Sequence, residues 1–225
     1  MLIRHAQPAW VVDGAGALDP ELTELGLQQA EHLAQAAQQW KKRPTHLWVS
    51  GARRAHQTVA PLAKVLQMQP VQHDWLTEIY LPESWQGAPA LDIGAIFQGL
   101  KTRDEAAWWQ GVPGGETYHD FHARVSGGLQ AALSGFGVKR TEGEAPVYEG
   151  VSDDVRICLV AHGGTNSVLT SELLGLPTVP WSWERTVMAH AALTRIKSTP
   201  LLGGHIFGLR EHSDAGHVPA GQRSR

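Results

Sequence analysis

Arg4 and His5 close a short apolar run that opens the chain, and His162, Gly163 and Gly164 close a second such run, Arg156 to Ala161. A third run, Thr45 to Val49, is followed by Ser50-Gly51-Ala52-Arg53-Arg54. Guanidiniums stay charged and present a fork of donors, and imidazoles can donate or accept near neutral pH. That is chemistry for holding a phosphate. Apolar runs of this length read as buried strands, and ligands of open α/β sheets gather beyond the carboxyl ends of the strands. Arg54 falls in the first turn of the helix predicted by the Ala-rich stretch after it, where free backbone N–H groups and the helix dipole also favour an anion.

The intervening chain supplies the crossovers. Leu22 to Trp40 reads as a helix, with Thr23 placed to cap it and Glu24 in its first turn. A helix from about 52 to 66 contains Pro61, which is expected to kink or break it. Residues 71–90 predict a strand and an excursion over the sheet. Helices follow at 101–109, at 118–133 with Phe121, Val125 and Leu129 at helical spacing, and at 165–174 with Gly175 beyond its end. Two last strands are expected at 187–196 and 205–209. The pattern is that of one α/β domain over 1–210, in three layers, with a mostly parallel central sheet flanked by helices. A polar insertion at about 134–154 reads as mobile or as a substrate lid, and 211–225 as a disordered tail.

Composition narrows the partners. The 225 residues carry a net charge of -3 and a single cysteine. Nucleic-acid and anionic-membrane surfaces need a basic excess, so any anion site here is local. Cys158 lies inside a predicted buried strand, which argues against a nucleophilic thiol, and no internal disulfide can form. No apolar stretch approaches the roughly 20 residues that span a bilayer, and the N-terminus lacks a signal-peptide pattern. The expected setting is cytoplasmic. His119 and His122 give only an i, i+3 pair without a second ligand cluster, so no metal is expected, and neither G-x-G-x-x-G nor a Walker pattern is present.

The blocks resemble the histidine phosphatase superfamily, with its phosphoglycerate mutase-like fold. Arg4-His5-Ala6 is similar to the family's Arg-His-Gly, with alanine for glycine, and Arg54-Ala55-His56-Gln57-Thr58 to its second block. Leu22 to Ala30 also resembles the family. Leu76-Thr77-Glu78-Ile79 with Trp85-Gln86-Gly87 resembles the acid-bearing block, Gly114-Gly115-Glu116-Thr117 a further one, and Ala161 to Gly164 carries the second histidine.

The resemblance implies a metal-independent phosphomonoesterase of the histidine acid phosphatase type that needs no cofactor. His5 is its nucleophile, Glu78 its acid and then base, and Arg4, Arg54, His162 and Gly163 its phosphate ligands. Glu83 and Glu116 compete with Glu78 for the acid role. Gln7, Trp10 and Trp85 flank these blocks as candidate contacts to the rest of a small phosphorylated metabolite. The family's mutase branch carries Glu-Ser and Trp-Asn after its Arg-His-Gly, where this chain has Gln7-Pro8-Ala9-Trp10-Val11, which favours hydrolysis over a phosphomutase. A noncatalytic phosphate binder of the same fold is the remaining alternative. The methyl of Ala6 is expected to narrow the approach to the phosphate.

Overall fold

The computed structural model describes residues 1–141, 143 and 145–225. In chain order the elements are β1 (Leu2–Arg4), β2 (Val11–Val12), β3 (Ala15–Gly16), α1 (Glu24–Ala37), β4 (His46–Val49), α2 (Arg53–Leu66), β5 (Val71–Gln72), α3 (Ala90–Leu100), α4 (Glu105–Gln110), α5 (Tyr118–Gly135), β6 (Lys139–Arg140), β7 (Tyr148–Glu149), β8 (Ile157–Ala161), α6 (Gly163–Leu174), α7 (Ser182–Arg185), β9 (Leu193–Leu201) and β10 (Gly204–Asp214). Eight strands form one sheet in the order β5-β4-β8-β1-β9-β10-β7-β6. The half from β5 to β1 is parallel throughout, and β9, β10, β7 and β6 extend it by antiparallel pairs. Only β9 and β7 therefore run against the common direction, and the sheet is mostly parallel as expected.

Strand periodicity builds the three layers. Successive side chains of a strand point to opposite faces. Ile3, Leu47, Val49, Cys158 and Val160 face α1 and α2 in one cluster, and Leu2, Trp48, Leu159 and Ala161 face α5 and α6 in another. Thr23 caps α1, its hydroxyl accepting from Gly26 N–H at 2.9 Å. Gly26 allows α1 to rest on the loop after β1, since a Cβ there would stand 2.2 Å from the Gln7 carbonyl oxygen. Burial raises the Cys158 thiol to about 11, which suits a packing residue and not a nucleophile.

Four expectations are corrected. Pro61 does not break its helix, which runs unbroken from Arg53 to Leu66. The lost backbone bond costs about 3 kcal/mol, and the burial of Val59, Leu62 and Leu66 on either side of the proline offsets it. Part of the polar insertion is neither mobile nor a lid: Lys139–Arg140 and Tyr148–Glu149 pair as β6 and β7 and extend the sheet beside β10, while residues 142 and 144 lie outside the described residues. The last two strands form a hairpin longer than expected, over 193–214. The tail is ordered, because strand pairing continues to Asp214 and Val218 is 1% exposed in a cluster with Ala6, Leu22, Ala30 and Ala191. Its polar spacing hides one buried anchor.

That anchor is testable. Val218→Ala should lower the free energy of unfolding by roughly 1–3 kcal/mol, measured by denaturant titration; an unchanged midpoint would mean that the tail is not packed in solution.

Candidate active site

The parallel register delivers the chemistry. Arg4 pairs with Ala161 across β1 and β8, and Val49 with Val160 across β4 and β8, so the residues that follow all emerge at one edge. His5 N–H donates to the Ala161 carbonyl at 2.9 Å and Ser50 N–H to the Val160 carbonyl at 3.0 Å, carrying the ladder one residue further. The rings of His5 and His162 consequently meet edge to face, with centroids 5.1 Å apart.

Fixed donors and acceptors assign the ring protons. His5 Nδ1 lies 2.7 Å from the Ala6 carbonyl oxygen, which can only accept, so Nδ1 carries the proton and Nε2 keeps a lone pair. His162 Nδ1 faces an Arg54 guanidinium nitrogen at 3.1 Å, which can only donate. Its Nε2–H then donates to the Ser50 hydroxyl at 2.7 Å. Both imidazoles are neutral in this arrangement. Desolvation, then for His5 the repulsion that would arise if His162 were also protonated and the charge of Arg54, and for His162 the charges of Arg54 and Arg4, hold both well below the ordinary histidine value.

Two guanidiniums crown the pair. Arg54, 4% exposed, extends from the first turn of α2, with Asp19 at 3.5 Å and the Trp10 ring 4.6 Å from its central carbon. Arg4 donates to the Met188 carbonyl. Desolvation lowers both from their usual values, and the nearby Glu78 carboxylate opposes that shift. Each leaves its Nε buried with no partner among the described residues. Unpaired buried donors are costly, and an anion accepting from them would relieve that cost.

Glu78 closes the ring of groups. One carboxylate oxygen accepts from Gly164 N–H at 2.8 Å at the start of α6, and the other from Ile79 N–H at 3.1 Å. Glu116, a competitor for its role, is paired with Arg124 through both oxygens, at 3.0 and 2.7 Å. Arg124 also donates to the carbonyls of Thr77 and Glu78 and so ties down the loop that presents the carboxyl. Glu83 is exposed. Gly163 sits beside Arg4, whose Nε would lie 3.7 Å from an added Cβ.

The expected residues His5, Glu78, His162, Arg4, Arg54 and Gly163 thus share one pocket. Trp10 stands at its rim against Arg54, whereas the Gln7 side chain accepts from the Thr23 hydroxyl at the start of α1, at 2.8 Å. Trp85 does not join them, being 8% exposed and packed edge to face on Phe97. The Ala6 methyl is fully buried in the cluster with Val218. Asp19, Arg124 and Thr58, which accepts from Ala6 N–H at 2.9 Å, were not singled out by sequence. Of these only Thr58 lies inside a recognised block.

The chain is similar to known proteins in both sequence and fold. The sequence profile of the histidine phosphatase superfamily (branch 1) matches residues 1–201. The chain belongs to that superfamily. Glucosyl-3-phosphoglycerate phosphatase of Mycolicibacterium vanbaalenii is 33% identical over 186 residues, which cover 80% of this chain and 76% of that protein. A mycobacterial glucosyl-3-phosphoglycerate phosphatase solved with inorganic phosphate superposes with a TM-score of 0.66 at 29% identity, covering 97% of this chain and 98% of that one. The fold is also that of a putative alpha-ribazole-5'-P phosphatase from Escherichia coli, with a TM-score of 0.69 at 21% identity over 95% of each chain. The protein is a phosphoric monoester hydrolase of this superfamily.

Two predictions follow from the geometry. Because burial and neighbouring cations depress both histidines, the neutral rings of the free protein should persist as the pH falls below 6.5. Imidazole 15N shifts should stay constant for His5 and His162 between pH 7.5 and 5.5, and a midpoint near 6.5 for either would contradict the arrangement. Gly164→Ala would bring a Cβ within 2.4 Å of the Glu78 carboxylate. It should leave unfolding nearly unchanged, since the flexible carboxyl can move, yet cut kcat by on the order of tenfold or more.

Proposed function

We propose that the protein transfers the phosphoryl group of a small phosphorylated sugar-type metabolite to His5 and then to water, without a metal ion. The observation that carries this reading is the hydrogen bond from His5 Nδ1 to the Ala6 carbonyl. It fixes the ring with the Nε2 lone pair as its reactive face, beside two buried guanidiniums. A histidine needing no prior deprotonation is ready to attack in line.

In the first half, a bond forms from Nε2 to phosphorus and the bond to the ester oxygen breaks. Arg4 and Arg54 neutralise the charge spread over the phosphoryl oxygens, as cation clamps do in phosphoryl transfer. The leaving oxygen takes a proton from Glu78. In the second half a water oxygen attacks phosphorus, its proton passes to Glu78, the bond to Nε2 breaks and His5 returns to its starting form. His162, whose Nδ1 accepts from Arg54, orients that guanidinium toward the anion. Because His5 stays neutral in acid, this machinery keeps working below neutral pH, in line with an acid phosphatase.

The substrate class draws on the named activity of the 33%-identical relatives and on Trp10. One face of that ring lies over Arg54, and with the side chain 38% exposed, it offers a sugar an aromatic surface one group away from the phosphate. Gln7, two residues after His5, is the candidate polar partner.

The test is turnover of an aryl phosphate in excess chelator, followed by a panel of phosphorylated sugars including glucosyl-3-phosphoglycerate. Wild type should release inorganic phosphate and form an acid-labile phosphoprotein, and His5→Ala should abolish both. Glu78→Gln should slow esters with poor leaving groups by on the order of 10²-fold or more and activated aryl esters far less. Equal losses across leaving groups would remove Glu78 from the acid role. Phosphate moved between hydroxyls, with none released, would make the protein a mutase.

A further inference from the structure

A third histidine stands beside the nucleophile and takes no part in the steps above. His190 is 4% exposed, and its ring lies 5.8 Å from that of His5 at a 40° tilt. Its Nε2 is buried and has no hydrogen-bond partner among the described residues, a condition shared in this pocket by Nε of Arg4 and Nε of Arg54. Buried polar groups in folded proteins are otherwise paired almost without exception. Three unpaired nitrogens around one nucleophile point to a common acceptor.

The proton on this ring can be located through its neighbours. Gln7 N–H can only donate, and does so to Gln29 Oε1 at 2.9 Å. The amide nitrogen of Gln29 therefore faces the Gln222 carbonyl at 2.7 Å and the Ser224 hydroxyl at 3.0 Å. That hydroxyl accepts from Gln29, and the acceptor in reach of its own proton is His190 Nδ1, at 2.9 Å. The imidazole is left with its proton on Nε2.

The backbone carrying His190 is held against its preference. Ala191 adopts a φ of 56°, a left-handed conformation that costs a residue with a Cβ. Ala191 N–H donates to the His5 carbonyl at 3.3 Å, His190 N–H to the Ser224 carbonyl at 3.0 Å, and His217 Nε2 to the Ala191 carbonyl at 3.1 Å. Strain over-determined in this way collects at ligand clamps.

We propose that His190 is a further phosphate-contacting residue, a neutral N–H donor to a phosphoryl oxygen, held in that tautomer by the Gln29–Ser224 relay that the C-terminal segment completes. The proposal rests on the phosphatase reading above. Burial and the adjacent Arg4 push the ring down to about 3, so it donates a proton without adding charge. With two guanidiniums already on the anion, a neutral third donor strengthens phosphoryl contacts without the tighter hold on product that another cation would bring.

Binding of orthovanadate and of inorganic phosphate to the full chain tests this. His190→Met keeps the bulk and removes the donor, and should weaken both by on the order of tenfold to a hundredfold, the range for a hydrogen bond to a charged group. His190→Gln, whose amide can donate at similar reach, should stay within a few-fold of wild type, and Ser224→Ala should fall between. Thermal unfolding identifies the variants that fold. A folded His190→Met that binds vanadate as wild type does overturns the proposal, whereas failure of wild type itself to bind either anion overturns the phosphatase reading. Should His190→Met not fold, 1H–15N correlation of the wild-type ring decides. An Nε2-bound proton that shifts on adding vanadate supports the contact, and an Nδ1-bound proton, or no shift, refutes it.

Discussion

Everything in the pocket depends on three parallel strands ending in register. Pairing of Arg4 with Ala161 and of Val49 with Val160 fixes where His5, Ser50 and His162 emerge. A strand alternates its faces with a period of two, so a slip of one residue would turn the whole set about. The apolar alternation forbids such a slip: Ile3, Val49 and Val160 would leave the cluster under α1 and α2, and Leu2, Trp48 and Leu159 the cluster under α5 and α6. The hydrophobic pattern that folds the sheet is thus also what aligns the imidazoles, and site geometry comes from core packing.

The same alignment sets an electrostatic problem. Arg4, Arg54 and two imidazoles crowd together out of water, where unpaired charge is expensive. The fold answers in part with groups of the opposite kind: Asp19 and the face of Trp10 on Arg54, the Met188 carbonyl on Arg4, and Glu78 between them. The histidines answer by staying neutral. What remains is a surplus of buried donors, which a dianion would satisfy. Local stability is given up for binding, and the two clusters on either side of the sheet hold the shape in which that surplus persists.

The parts of this arrangement that are local in sequence were legible in it. Strand runs ending in Arg4-His5 and in His162-Gly163, the Thr23 cap and the placement of Arg54 in a first turn all depend on neighbours within a few residues. The misses are long-range. Pro61 fails to break α2 because burial of Val59, Leu62 and Leu66 outweighs a propensity cost. The residues after Arg210 read as a disordered tail because Val218 is their one anchor in an apolar cluster, and its contacts lie with Ala6, Leu22 and Ala30 at the other end of the chain. Arg124 carries no local signal for its role, since its partners Thr77, Glu78 and Glu116 meet it only through the fold. Trp85, flanked by a family block, turned inward to Phe97 because the loop that carries it crosses over β3, where Gly16 N–H donates to the Ala88 carbonyl at 2.8 Å.

The substitution of alanine for glycine at position 6 joins these strands of reasoning. At the sequence level the extra methyl looks like an obstacle to the phosphate. In the fold, Ala6 is fully buried, its N–H donates to Thr58 and its carbonyl holds the His5 proton. Its methyl faces Val218 of the C-terminal segment. The side chain is therefore absorbed in the cluster with Val218, where glycine would leave a gap of about one methyl, at a cost near 1 kcal/mol. The packing that secures the end of the chain and the carbonyl that orients the nucleophile belong to the same residue, so the end of the chain is coupled to the histidine at its start.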